Sequence, residues 1–215
     1  MENLTDHCCT KNLYDENYYE RGIEKGLSCY SNYRWIPELT IPMAARLIEY
    51  LGIGGKDRIL DFGCAKGYLV KAFRLLHREA YGFEISEYAK NTAPHDVRKY
   101  YIPELKGHFD WTIAKDVFEH IEYDQLQYWL CKIHDCSKSL FAVCPLGNVG
   151  GGGYVVPAYE LDKTHIIREN LDWWKEQFEL AGYIVISADY KVQYLKENWS
   201  EYEKGNGFFI CRSRE

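Results

Sequence analysis

The most informative group of side chains that could bind a metal ion is Asp116-x-x-Glu119-His120. Its first residue, Asp116, is the last residue of the run 109–116. This run is apolar and then charged, as at the end of a buried strand. Two carboxylates and an imidazole so close together, at the carboxyl end of a strand, can converge on one hard or borderline cation. We therefore predict that Asp116, Glu119 and His120 bind a divalent ion, Mg²⁺ or Mn²⁺.

A second chemical feature is a glycine loop, Asp61-x-Gly63-x-x-x-Gly67, which follows the apolar residues of a short predicted strand. Its spacing matches neither the dinucleotide fingerprint G-x-G-x-x-G nor the phosphate loop G-x-x-x-x-G-K-[ST], so a phosphate cradle is disfavoured. Ligands of open α/β sheets bind beyond the carboxyl ends of the strands, where this loop lies. The pattern indicates a cofactor loop, and an ordinary strand-turn-helix connection is the alternative.

An acidic residue follows the next strand at an informative distance. Ala80-Tyr-Gly-Phe-Glu-Ile85 is a short apolar strand that ends in Glu84, about twenty residues after the glycine loop. Nucleotide-binding α/β units place an acid at this offset, where it accepts hydrogen bonds from ribose hydroxyls. Glu84 is therefore the predicted ribose ligand.

Alternating strands and helices must position these residues, so the predicted fold class is α/β. We interpret residues 1–215 as one domain, with an N-terminal arm at 1–40 and a core at 41–215. Strands are predicted at 59–62, 80–85, 109–116, 139–144, 183–188 and 207–211, with a weak strand within 95–102, and helices at 41–51, 68–76, 86–92, 124–134 and 171–180.

Composition excludes several functional classes. The 47% hydrophobic and 27% charged residues are typical of a soluble globular protein, and the segment Met1–His7 has neither the basic nor the apolar part of a secretion signal. The eight cysteines include no C-x-x-C pair, which predicts reduced thiols and a cytoplasmic location. A net charge of −6 disfavours nucleic acid as a partner and favours a small-molecule or glycan acceptor.

The motifs together resemble those of the class I S-adenosylmethionine (SAM)-dependent methyltransferases. The resemblance extends over roughly residues 40–213 and includes the glycine loop, Glu84 and the segment 116–120. It implies a Rossmann-like sheet of seven mostly parallel strands, with helices on both faces and a C-terminal antiparallel strand. It implies SAM as the cofactor, bound by Asp61, Gly63, Cys64, Gly67, Tyr68, Glu84, Ile85 and Asp116.

The acid-x-x-Glu-His pattern resembles that of methyltransferases that use a divalent ion to hold a diol, including ubiquinone-pathway enzymes and small-RNA 3′-terminal ribose methyltransferases. In the RNA enzymes a downstream histidine completes the site, and His165 is the matching candidate because it follows the next strand. This sequence departs from the pattern by having aspartate at position 116. In many metal-free methyltransferases a similar Glu-His pair only positions the cofactor and caps a helix.

Four motifs are considered together: the glycine loop, the segment 82–86 that contains Glu84, the segment 116–120 and Asp162-Lys-Thr-His165. They look most like those of small enzymes that O-methylate sugars in glycan assembly. The implied reaction is in-line attack of a sugar oxygen on the sulfonium methyl group, with Asp116, His120 and His165 as candidate catalytic residues. A metal-free version uses His120 or His165 as the base and loses activity below a pKa near 6.5. The alternatives are methylation of a non-sugar diol, such as a catechol or quinone precursor, and a non-catalytic SAM-binding module.

Acceptor contacts are predicted from two aromatic segments. Tyr19, Arg34 and Trp35 belong to the tyrosine-rich arm, whose aromatic residues either contact the ligands or simply pack the arm on the core. Tyr154 and Tyr159 follow four consecutive glycines in the long loop 146–164, which is either a lid over the acceptor or an insertion without a role.

Overall fold

A computed structural model of the protein describes residues 13–214; the predictions for Met1–His7, Cys8 and Cys9 lie outside this part of the chain. The described residues form a six-stranded sheet with the order β2-β1-β3-β4-β6-β5. The strands are β1 (Arg58–Phe62), β2 (Glu79–Phe83), β3 (Trp111–Lys115), β4 (Ser139–Pro145), β5 (Tyr183–Asp189) and β6 (Asn206–Ser213).

Helices cover both faces of this sheet. One face packs on α2 (Pro37–Leu51) and α3 (Tyr68–Leu75), around Leu47 and Phe73, and the other on α5 (Tyr123–His134) and α6 (Leu171–Leu180), around Leu130 and Trp174. The two faces separate because neighbouring strand residues point to opposite sides. The helices are α1 (Glu16–Lys25), α2 (Pro37–Leu51), α3 (Tyr68–Leu75), α4 (Glu87–Thr92), α5 (Tyr123–His134) and α6 (Leu171–Leu180).

Strand direction brings the functional loops to one edge. Strands β1 to β4 run parallel, and β6 is antiparallel to both β4 and β5. Asn206, the first residue of β6, therefore pairs with Pro145, the last residue of β4. As a result, the loop 190–205 between β5 and β6 lies at the same edge as the carboxyl ends of β1 to β4.

The prediction of seven strands is wrong for the described residues. In the weakly predicted segment 95–102 only Tyr101 forms a bridge, to Gly82 of β2, and residues Arg98–Tyr100 form a 3₁₀ turn. The segment is charged and lacks the alternation of apolar residues that stabilises a strand. The predicted C-terminal antiparallel strand is present as β6.

Two predicted helix starts depend on side-chain caps. The Ser86 side chain accepts a hydrogen bond from the backbone N–H of Ala89, and Asn170 does the same for Trp173. Both caps satisfy amide groups that the first turn of a helix leaves without a partner. In residues 13–214 no helix has the length and apolar character needed to cross a membrane.

Candidate active site

Three ligand-type side chains converge beyond the ends of β3 and β4. The ligand atoms of Glu119, His120 and His165 all lie within 4.8 Å of one another. The carbonyl oxygen of Glu119 accepts hydrogen bonds from the backbone N–H groups of Ile166 at 2.7 Å and Ile167 at 3.1 Å. These bonds hold the segment after His165 against the turn that carries His120, so the two rings lie 4.6 Å apart between centroids.

Each imidazole is oriented by a hydrogen bond at Nδ1. His165 Nδ1 lies 2.8 Å from the carbonyl oxygen of Tyr159, which can only accept, so Nδ1 carries the proton. His120 Nδ1 lies 2.7 Å from Thr164 Oγ1, whose own hydrogen is donated to Asp162 at 2.6 Å. Thr164 must therefore accept from His120, and both histidines present an unprotonated Nε2. Such outer hydrogen bonds are how proteins orient metal-binding histidines.

The Glu119 carboxyl group is buried, and no hydrogen bond within the described residues offsets the loss of its contact with water. Its residue is 1% exposed, and neither carboxyl oxygen has a hydrogen-bond partner in the described part of the chain. Burial, and then the nearby Asp116 carboxylate, raise the pKa of Glu119 well above its ordinary value. Buried polar groups without partners are costly, so this carboxyl group indicates a ligand or ion that completes the site.

Asp116 is not part of this group, which differs from the predicted four-ligand site. Its carboxylate lies 2.5 Å from the ammonium of Lys115 and 2.5 Å from that of Lys196. Burial alone would raise the pKa of Asp116, but the two ammonium groups hold it below its ordinary value. A carboxylate engaged by two cations is poorly placed to bind a third.

The predicted cofactor loop, residues 61–67, has the glycine geometry that its spacing predicts. Gly63 and Gly67 have φ angles of 71° and 70°, which disfavour residues with a Cβ atom. An added Cβ at Gly63 would also lie 2.6 Å from the Val117 side chain. The thiol of Cys64 faces the core near Gly82, so only the backbone of Cys64 is placed for a ligand.

Two buried carboxyl groups flank this loop. Glu84 accepts hydrogen bonds at 2.7 Å from the N–H groups of Ala65 and Ser86, which leaves about two of its four lone-pair sites free. Asp61 is 5% exposed, and no hydrogen bond to its side chain is found in residues 13–214. Burial and then the neighbouring Glu84 raise the pKa of Asp61 to about 8. The pair suits a ligand with hydroxyl groups and a cationic end.

A comparison with models of protein families matches residues 40–188 to a methyltransferase domain. The chain belongs to this methyltransferase family. The match includes the glycine loop, Glu84 and the 116–120 segment, and it makes the protein a SAM-dependent methyltransferase. A search of curated proteins by sequence finds no match.

Solved structures share the fold of this methyltransferase at low sequence identity. Magnesium protoporphyrin IX methyltransferase (ChlM) from Synechocystis PCC 6803 with bound SAH is 12% identical, with a TM-score of 0.63, over 95% of this chain and 99% of that one. A SAM-dependent methyltransferase from Archaeoglobus fulgidus is 16% identical, with a TM-score of 0.56, over 82% and 97%. The [4+2]-cyclase SpnF is 12% identical, with a TM-score of 0.62, over 95% and 94%. A cyclase among them shows that this fold alone does not fix the reaction.

The arm of the methyltransferase contacts both parts of the site through residues that sequence analysis did not single out for a role. Tyr18 donates a hydrogen bond from its hydroxyl to Asp162 at 2.8 Å, and Glu20 pairs with Lys66 of the glycine loop. The ring of Tyr14 lies 5.9 Å from that of His120. These contacts are long-range in sequence, and no local pattern identifies them.

The predicted acceptor residues in the arm have different environments. Tyr19 is buried among Tyr18, Tyr30 and Tyr88, so it packs the arm on the core. Trp35 is half-buried, 5.7 Å from the ring of Tyr68. Arg34 is exposed. Trp35 lies beside the predicted cofactor residue Tyr68, and Ala65 of the glycine loop packs against the cluster that contains Tyr19. Ile85 lies between β2 and α4.

Tyr154 and Tyr159 are buried rather than part of an open lid. Their rings lie 5.4 Å and 6.0 Å from that of His165. Their hydroxyls donate to the carbonyl oxygen of Ile167 and to the side-chain oxygen of Asn206. The two tyrosines thus form a wall that fixes His165.

Acidic pH should destabilise the folded protein through His120. Burial, and then the neighbouring His165, lower the pKa of His120 from 6.5 to about 4. Between these values the unfolded chain binds a proton that the folded chain does not, so stability falls as the pH drops from about 6.5 to about 4. We expect a loss on the order of 2–3 kcal/mol in metal-free buffer, measured by urea unfolding. His120→Gln should remove this component, whereas the exposed His95→Gln should keep it; an unchanged pH slope in His120→Gln would contradict the assignment.

Proposed function

We propose that this methyltransferase transfers the methyl group of SAM to a sugar hydroxyl, with a divalent ion bound by Glu119, His120 and His165. The observation that supports the metal is the buried Glu119 carboxyl group, without a hydrogen-bond partner among residues 13–214, beside two unprotonated imidazole nitrogens. Three protein ligands leave coordination positions for two adjacent oxygen atoms of an acceptor. A sugar diol supplies such a pair of oxygens.

The donor set favours Mn²⁺ over Mg²⁺. Imidazole suits first-row transition ions, whereas Mg²⁺ prefers oxygen ligands. Burial lowers the pKa of both histidines, so neither has to lose a proton before it binds an ion near neutral pH. When bound, the ion supplies Lewis acidity that lowers the pKa of the acceptor hydroxyl.

The SAM site is proposed at the ends of β1 and β2. Asp61 is placed for the amino group of the methionine part, and Glu84 has lone pairs for the ribose hydroxyls. Gly63 and Gly67 allow the loop between them to turn, and Tyr68 and Ile85 border it. SAM would supply the methyl group and would leave as S-adenosylhomocysteine, while the residues of the chain align the methyl group with the acceptor oxygen. Such alignment is worth about 7–11 kcal/mol in well-oriented reactions.

In a metal-free version of the reaction, Nε2 of His120 or His165 removes the proton of the acceptor hydroxyl. Because the pKa of His120 is about 4 and that of His165 is also lowered, these bases stay active well below pH 6.5. This differs from the expectation for an unperturbed imidazole. In either version Asp116 holds the ammonium groups of Lys115 and Lys196 at the acceptor side.

Transfer of labelled methyl from SAM tests the proposal directly. The acceptors are a panel of sugars, short glycans and aromatic diols, each with Mn²⁺, with Mg²⁺ and with excess chelator. We expect label in a sugar only when an ion is present, with Mn²⁺ more effective. Label that persists with chelator would move proton removal to a histidine, and label only in catechols would replace the sugar by an aromatic diol.

Metal binding should release a proton from Glu119. Because the pKa of Glu119 is raised while the histidines are already neutral, we expect Mn²⁺ binding to release a proton, and the number released per ion to fall as the pH rises. Calorimetry in two buffers with different ionisation enthalpies measures this number. Release of no proton, or the same release from Glu119→Gln, would contradict the assignment.

A further inference from the structure

Lys196 is a buried cation that the proposed transfer step does not use. It is carried by the loop 190–205, which the antiparallel β6 brings to the active-site edge. Its side chain is 7% exposed, and Asp116 is the one acceptor recorded for its ammonium in the described part of the chain. An ammonium has three donors, so donors remain for a ligand.

The charges around Asp116 do not balance. The single carboxylate of Asp116 faces two ammonium groups, those of Lys115 and Lys196. The Glu119 carboxyl group belongs to the ligand cluster and does not neutralise them once an ion is bound. One positive charge is left in excess. Lys115 is 26% exposed and can be solvated, but Lys196 is 7% exposed, so its charge is costly unless a ligand supplies a negative group.

Lys196 also lines a small cavity. The cavity measures about 110 Å³, and its lining includes the charged residues Lys191, Lys196 and Glu197 and the aromatic residues Trp199, Tyr202 and Phe208. Whole-ligand pockets usually measure roughly 300–1,000 Å³, so this cavity suits one end of an acceptor. Aromatic rings offer flat apolar faces to the C–H side of a sugar ring. The lysine ammonium can bind an oxyanion.

Tyr159 connects the cavity to the ligand cluster. Its ring contacts the ammonium of Lys196 at 4.7 Å and the ring of Trp199 at 5.6 Å, both measured to the ring centroid. On its other side it lies 6.0 Å from the ring of His165. The cavity is therefore one aromatic ring away from the metal-ligand cluster, a distance that different ends of one acceptor can span.

We propose that the acceptor is an acidic sugar whose carboxylate or phosphate group binds Lys196 in this cavity. The hydroxyl to be methylated then lies at the cluster of Glu119, His120 and His165. This inference deepens the proposed function and rests on it for the transfer step. The binding of the anionic group stands independently and is tested separately.

Saturation-transfer NMR on the SAH-loaded protein measures binding without turnover. The probes are a hexuronic acid, a hexose 1-phosphate and the neutral methyl hexoside. We expect the wild type to prefer the acids, and Lys196→Met to weaken their binding about tenfold or more without a comparable effect on the neutral sugar. Lys196→Arg, which keeps the charge, should retain much of the preference. Lys175→Met is the control, since Lys175 pairs with Asp172 on α6 and does not line the cavity.

Tighter binding of the hexuronic acid would identify the anionic group as a carboxylate, and tighter binding of the hexose 1-phosphate would identify it as a phosphate. Equal binding of acids and neutral sugar by the wild type, or acid binding that survives in Lys196→Met, would overturn the inference. Equal losses of affinity for acidic and neutral sugars in Lys196→Met would also overturn the inference. They would show that Lys196 acts only by positioning Asp116. Acid binding that depends on Lys196, without methyl transfer to any sugar, would refute the proposed function and leave the anion site in place.

Discussion

Replacing Glu119 by glutamine should abolish most of the activity without harming the fold. Glutamine keeps the shape of the side chain but removes the negative charge that an ion needs. Metal and acid–base contributions to catalysis are commonly 10²- to 10⁴-fold, so we expect kcat/KM to fall by roughly that factor. Affinity for Mn²⁺ should fall at least about 100-fold, as measured by calorimetry.

The same substitution should leave stability in metal-free buffer unchanged or raise it. Burial raises the pKa of Glu119, so the folded protein ionises this carboxyl group less readily than the unfolded chain does, and its ionisation at neutral pH opposes folding. Removing the carboxyl group removes that cost to folding, which is worth about 1 kcal/mol or more. A residue that lowers stability but supports activity is typical of a functional site.

Glu122→Gln is the matched control for this prediction. Glu122 is exposed, lies three residues further along the chain and caps α5 without a side-chain hydrogen bond. It should keep both metal affinity and activity. If Glu119→Gln binds Mn²⁺ as the wild type does and still transfers methyl groups, the three-ligand site is wrong.

Replacing Gly147 by alanine should damage the site from a distance. An added Cβ would lie 2.1 Å from the carbonyl oxygen of Arg168 and 3.0 Å from the backbone nitrogen of Glu169. These are backbone atoms of the segment that follows His165, so they cannot rotate away. The segment must shift, and it carries His165 with it.

The shift should cost both stability and metal affinity. Overpacking of this kind typically costs about 1–3 kcal/mol, and we expect a value near the upper end, or a melting temperature lower by roughly 5–10 °C. A displacement of about 1 Å in a site can cost 100-fold in rate, so Mn²⁺ affinity should fall at least about tenfold. Thermal unfolding and calorimetry on one preparation measure both.

Gly55→Ala tests whether the effect is specific. Gly55 has open space around its Cβ position and no left-handed φ angle. This variant should change stability by less than about 1 kcal/mol and leave metal affinity unchanged. Wild-type metal affinity in Gly147→Ala would show that the segment after His165 tolerates the shift and that the link to His165 is wrong.

The parts of the site that are local in the chain could be predicted from the residues and their spacing. Gly63 and Gly67 have the left-handed backbone that their spacing predicts, and Glu84 follows a short strand at a fixed offset, so spacing alone was enough to propose where the cofactor binds. The placement of His165 beside His120 also followed from sequence, because parallel strands bring their carboxyl ends to one edge. The family match agrees with this interpretation at the level of a SAM-dependent methyltransferase.

Which of these groups are available for chemistry depends on contacts between distant parts of the chain. Asp116 has the chemistry of a metal ligand, yet Lys196, 80 residues further along the chain, engages its carboxylate. Similarly, Thr164 and the carbonyl of Tyr159 fix the protonation of the two histidines. Such contacts depend on how the hairpin β5–β6 and the loop after β4 return to the site. No periodicity or spacing encodes them, because the energy of a buried charge depends on neighbours in space rather than in sequence.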